Sequence, residues 1–201
     1  EMSPFKINYS QKMAGFKTTI EEKILYVNLS SVCLSLIKKI KKDRVIEGKG
    51  EIVLADTGVK LMSKVHQLCS GTVKFESGKS MVVDTTKAKF INKFFKDQKI
   101  GIFYKFKEEY NAIKKIYKDM ITNDLEEFNA TEKSIALQIV SGREGISLKE
   151  ASALVYYNID FSATSYWQSR DRMTTKNRAT NKIYWIFSYD GIENEIYKTV
   201  V

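Results

Sequence analysis

The chain has 201 residues, 43% hydrophobic and 28% charged, enough apolar material for one buried core and too much for a disordered tail. Lys and Arg number 33 against 24 Asp and Glu, a net charge of +9 that favours a polyanionic partner, with nucleic acid first. Two cysteines and one histidine exclude most disulfide-framework and metal-site readings, His66 and Cys69 making a poor zinc site by themselves; no apolar run reaches the roughly 18 residues of a membrane span, and the N-terminus shows no secretory apolar region. An intracellular, reduced protein with no metal ligands of its own is expected. Charge alone decides little, since an abundance of Lys, Ile, Asn and Tyr with a single Pro fits a biased composition as well.

In chain order, residues 1–22 show no period, and "KILYVNLS" (23–30) reads as a strand. "SVCLSLIKKIKKD" follows as a helix with Cys33, Leu36, Ile37 and Ile40 on one stripe. "RVIEGKGEIVL" is turn-rich with room for a short strand. Thr57 to Cys69 forms a second amphipathic helix stopped by Ser70-Gly71, with Cys69 in the core and His66 at the surface. "TVKFESGKSMVV" reads as a hairpin turning at Ser77-Gly78.

After Asp84 strands and helices alternate. A helix carrying Phe90, Ile91, Phe94 and Phe95 precedes the strand "KIGIFYKF" (99–106). Phe106, Tyr110, Ile113, Tyr117 and Met120 then make a helical stripe. "SIALQIV" (134–140), "ALVYYN" (153–158) and "KIYWIFS" (182–188) are buried strands, a helix starts near Ala163 behind an Ser162 N-cap, and "IENEIYKTV" closes the chain. This alternation implies a parallel sheet covered on both faces, with functional loops at the carboxyl ends of its strands, after Tyr104, Val140 and Tyr157.

"SGKS" (77–80) is no phosphate loop. Six residues, not four, separate Gly71 from Gly78, and strand-like segments flank the stretch on both sides. No acidic magnesium motif stands at a strand end, and one histidine cannot serve a Ser/His/Asp or Cys/His set. No Gly-x-Gly-x-x-Gly supports a dinucleotide-binding enzyme either.

"KIGIFYKFKEEYNAI", "VSGREGISLKEASALVYYNIDFS" and "YWQSRDRM", in that order, resemble motifs four, five and six of the second RecA-like domain of superfamily-two helicases, nearest the Swi/Snf-type and bacteriophage branches. "GVKLMSKVHQLCSG" is similar to the helix that precedes motif four in phage members, so the resemblance covers roughly residues 55–200. It implies an α/β, RecA-like (P-loop-NTPase-type) parallel sheet with helices on both faces, at 56–201, behind an N-terminal strand–helix extension or interdomain bridge at 1–55.

The resemblance also implies the chemistry. ATP with Mg would be held mainly by a phosphate-loop motor domain, joined in cis or supplied in trans, and this chain would contribute arginine to the charge developing on the transferred phosphoryl group. Arg172 is the motif-six arginine, and Gln168 shares its helix face at about 100° per residue. The family's second arginine falls on Thr175, which cannot act as one; Arg170 lies nearly opposite Arg172, leaving Arg178 as the candidate. Motif five places Gly142, Glu144 and Gly145 at the nucleotide, and Ser141, Arg143 and Ser147 toward nucleic acid, DNA in the first instance. Lys105 and Lys107, at the exit of the motif-four strand, are phosphate-contact candidates. Alone, the chain would not hydrolyse ATP. The rival reading is a non-catalytic nucleic-acid-binding α/β module that kept the fold and lost the motor, which Thr175 and the +9 charge favour.

Overall fold

The computed structural model describes residues 19–48, 50–139, 146–162, 166, 169, 171–175 and 179–200. Its apolar runs pair as expected for strands buried on both sides. Among the described residues, six strands form one parallel sheet: β1 (Thr19–Val27), β6 (Ile100–Tyr104), β7 (Ile121–Thr122), β8 (Ser134–Gln138), β9 (Ala153–Tyr156) and β10 (Thr180–Ser188). Their order is β1-β10-β9-β6-β8-β7, every neighbouring pair parallel. β1 runs beside β10 over its whole length, from Thr19 opposite Thr180 to Val27 opposite Ser188.

The period of two sorts side chains onto two faces. Ile100 and Ile102 of β6, Ala153 and Val155 of β9, and Ile186 of β10 meet Ala88 and Ile91 of α3 (Thr86–Phe94) and Ile113 and Tyr117 of α4 (Lys107–Tyr117). On the other face Phe103, Leu154, Tyr156, Ile183, Trp185 and Phe187 meet Phe128 of α5 (Leu125–Ala130) and Ile196 of α6 (Glu193–Val200). Trp185 stacks on Tyr156 at 4.1 Å between ring centroids, so this face is an aromatic layer. Glu22 of β1 lies at its edge and accepts from the Tyr166 and Tyr197 hydroxyls and from Trp185 Nε1.

A third apolar cluster joins α1 (Ser31–Asp43) to α2 (Gly58–Cys69), with Cys33, Ile37, Ile40, Val65, Leu68 and Cys69 buried together. Both helices begin on a side-chain cap: Ser30 Oγ accepts from Cys33 N at 3.3 Å, and Thr57 Oγ1 from Lys60 N at 3.2 Å. The turn-rich stretch after α1 holds two antiparallel strands, β2 (Val45–Gly48) and β3 (Glu51–Leu54), one more than expected. The second hairpin is as expected, β4 (Thr72–Lys74) against β5 (Ser80–Val82) with Gly78 at φ +89° in its turn, so "SGKS" is a hairpin tip. The sequence reading missed β7 and α5, which at two and six residues are too short to show a period.

Gly71, between α2 and β4, has φ +80°, and its carbonyl accepts from both Val83 N and Asp84 N. A Cβ there would stand 2.3 Å from the Asp84 carbonyl oxygen. Gly71→Ala is therefore expected to lose about 2–4 kcal/mol in urea denaturation, from left-handed strain and backbone overlap combined. A loss under 1 kcal/mol would mean that the hairpin yields freely.

Candidate functional site

Where β6 and β9 leave the sheet, three polar side chains are buried in a chain of hydrogen bonds. The His66 ring on α2 meets Asn158 Oδ1 through Nε2 at 2.6 Å. Asn158 Nδ2 donates to Glu109 Oε1 at 2.6 Å. Glu109 Oε2 accepts from the backbone N–H groups of Lys105 and Phe106, at 2.7 and 3.0 Å, and so caps α4. Glu109 is fully buried, and burial pushes its carboxyl up. The network clamps the exits of β6 and β9 to each other and to α2.

His66 is buried at 1% exposure, a correction to its expected surface position. It lies on the α2 stripe one residue from Val65 and three from Cys69, packed edge-on against Phe106 and Phe161. Burial, then the nearby Lys105 charge, pulls its pKa down to about 4. The unfolded chain thus takes up a proton near 6.5 that the folded ring refuses until about 4. Stability is expected to rise with pH across that window, by roughly 3 kcal/mol in all. His66→Gln should flatten this part of the curve, and an unchanged slope would assign it to other groups.

Lys105 and Lys107 flank the same strand exit. Lys107 is exposed, whereas the Lys105 ammonium lies 2.5 Å from Asp160 Oδ1 and 4.8 Å from the centre of the Phe161 ring. Asp160 belongs to the segment that carries the chain from β9 into the next helical turn, where Ser162 O accepts from Tyr166 N at 3.4 Å. Sequence reading missed Asp160, Asn158 and Glu109, since nothing in their spacing announces a shared site.

Arg172 lies in a second place, on the aromatic face of the sheet. It sits in a single 3-10 turn, Asp171–Met173, rooted by the fully buried Met173. Arg172 O accepts from Leu148 N at 2.8 Å, and Arg172 Nη1 donates to Ile146 O at 3.4 Å. The turn therefore runs beside residues 146–148, and exposed Ser147 stands between the two anchoring residues. The guanidinium is half-buried, its Nε has no hydrogen-bond partner, and among the described residues no carboxylate pairs with it. A guanidinium in that state can offer its charge to an anion. Thr175 is half-buried. Gln168, Arg178, Ser141, Gly142, Arg143, Glu144 and Gly145 lie outside the described residues. Among the described residues no cluster of three or more His, Cys, Asp or Glu could hold a metal ion, and no helix is long and apolar enough to cross a membrane.

A parallel sheet with this strand order and helices on both faces is an α/β, RecA-like fold. The chain is similar to the crystal structure of the C-terminal part of the Fun30 ATPase domain, with a TM-score of 0.65 and 12% identity over 92% of this chain and 90% of that one. It is also similar to the SWI2/SNF2 ATPase core domain of Sulfolobus solfataricus, with a TM-score of 0.57 and 14% identity over 94% of this chain and 44% of that one. At such identities the likeness is one of fold. No protein-family model and no curated protein sequence matches the chain.

Proposed function

We propose that this chain is the second RecA-like half of an ATP-driven nucleic-acid translocase or helicase, acting on DNA and completed by a phosphate-loop domain in the same polypeptide or in another. The observation that carries the reading is Arg172, a half-buried guanidinium with no carboxylate partner among the described residues, in the stretch that resembles motif six and in a fold similar to the C-terminal part of the Fun30 ATPase domain. When bound, ATP with Mg supplies the phosphoryl chemistry, and the phosphate-loop domain holds most of it. This chain's residues position and stabilise. Arg172 offers a permanent positive charge and a planar set of donors to the phosphates, while Gln168, Gly142, Glu144 and Gly145 line the nucleotide side. Lys105 and Lys107, with Ser141, Arg143 and Ser147, contact the nucleic-acid backbone without reading its sequence.

Thr175, standing where the resemblance calls for a second arginine, favours a second reading, a nucleic-acid-binding module that has lost the motor. One experiment separates the two. The chain is mixed with a Swi/Snf-type phosphate-loop domain, and ATP hydrolysis is followed with and without DNA. DNA-stimulated hydrolysis that requires both polypeptides is the expected result. DNA binding without any stimulation would favour the module, and an absence of DNA binding would remove both.

A further inference from the structure

Between the β4–β5 hairpin and the start of α4 lies a cleft of about 340 Å³, lined by Lys74, Lys105, Lys107, Gln67, Ser80 and Gln138 among others. Its lining carries three lysines and one carboxylate, Glu108, which already accepts from Ser80 Oγ and Asn111 Nδ2. Among the described residues neither Lys74 nor Lys107 has a carboxylate partner, and both are exposed. Lys105 differs: its ammonium is turned to Asp160.

The two partners are anchored unequally. Asp160 Oδ1 also accepts from Phe161 N at 2.9 Å, which holds the carboxylate in place whether or not the lysine is there. The Lys105 backbone is fixed at both ends, its N–H by Glu109 and its carbonyl by Gln138 Nε2 at 2.9 Å. Only the flexible Lys105 stem can move, and it borders the cleft. The pair is about four-fifths buried, with side chains 20% and 17% exposed, so the ammonium leaves it only for a group that replaces the contact in kind. A phosphate offers lysine a contact of the same charge-assisted kind.

We propose that Asp160 is an internal competitor for Lys105, occupying the ammonium until a nucleic-acid phosphate entering the cleft draws it away. The inference rests on the nucleic-acid reading above and adds the residue that regulates it. Asp160 is thus a positioning residue that sets how readily the motif-four lysine engages the strand. Phosphate contact and the Lys105–Asp160 pair exclude each other.

The test is a double-mutant cycle on the whole chain, read as fluorescence anisotropy of a short labelled DNA duplex over a range of salt concentrations. Asn at 160 keeps an oxygen for the Phe161 N–H, so Asp160→Asn leaves the local turn intact while removing the competing charge. Asp160→Asn is expected to tighten binding about threefold to tenfold, and Lys105→Gln to weaken it and lower the salt slope by about 1. In the Lys105→Gln background, Asp160→Asn should change nothing. Equal tightening in both backgrounds would make Asp160 a general negative charge and overturn the proposal. Weaker binding by Lys105→Gln with no effect of Asp160→Asn would also overturn it, leaving the nucleic-acid reading intact. A chain that binds no duplex at low salt would overturn both.

Discussion

Lys87→Met is expected to lose about 3–5 kcal/mol of stability at neutral pH, the largest single-residue effect outside the site. Lys87 and Glu193 are 1% and 0% exposed, and their charged atoms lie 2.7 Å apart. Glu193 also accepts from Ser188 N and Ser188 Oγ, so the carboxylate is fully engaged, while Lys87 also donates to the Tyr157 carbonyl, at 3.5 Å. Removing the lysine strands a buried carboxylate. Removing both charges with Lys87→Met/Glu193→Leu should restore much of the loss, because two desolvation costs disappear together. Gly191 belongs to the same arrangement, since a Cβ there would stand 1.9 Å from Glu193 Oε2.

The pair also sets a pH dependence. Burial pushes the Glu193 carboxyl up, but the Lys87 charge and the hydrogen bonds from Lys87 and Ser188 outweigh it and hold the group below the ordinary 4.5. The folded chain therefore binds that proton less readily than the unfolded one. The stabilisation is complete above the ordinary carboxylate range and fades as pH falls through the folded value. The stability difference between the parent chain and Lys87→Met should accordingly be widest at neutral pH and narrow below pH 4.5. Urea midpoints measured across that range would show it, and a difference that widens in acid would contradict the assignment.

The second large effect tests the proposed motor, with the phosphate-loop domain added. Arg172→Ala is expected to lower DNA-stimulated ATP hydrolysis by about 10³-fold or more while leaving DNA affinity within a small factor. Arg172→Lys should not restore the rate, because a point charge lacks the planar fork that meets two phosphate oxygens. The change removes one 3.4 Å hydrogen bond to the Ile146 carbonyl and leaves Met173 as the anchor of the turn, so folding should survive it. Arg178→Ala makes the companion measurement. A fall of similar size would make Arg178 the second arginine in place of Thr175; an unchanged rate would leave Arg172 acting alone. Hydrolysis untouched by Arg172→Ala would remove this residue from the reaction.

Much of the architecture was legible in the residues alone. Apolar runs at 100–104, 134–138 and 153–156 are β-rich and bounded by turns, so their burial in a parallel sheet followed from pattern. The stripes of α1, α2 and α4 and the glycine turn at Gly78 were equally direct, except that Met62 of the α2 stripe is exposed and Met120, counted on the α4 stripe, lies beyond that helix and is exposed. The segments β7 and α5 were not, being shorter than one period of the signal that would reveal them. His66 was misplaced because a lone imidazole beside a helix's apolar stripe looks the same in sequence whether its ring turns toward solvent or toward Asn158.

The order of the segments that resemble motifs four, five and six, and the choice of Arg172 as the arginine to follow, come from the amino-acid sequence, because local spacing and residue chemistry are properties of the chain itself. Only the tertiary structure could decide which charges are free. It spends Lys87 on Glu193 and Lys105 on Asp160, residues 106 and 55 positions apart, and leaves Arg172 without a carboxylate among the described residues. Pairing of charges across such separations depends on how strands stack in the sheet, and no periodicity along one segment records it.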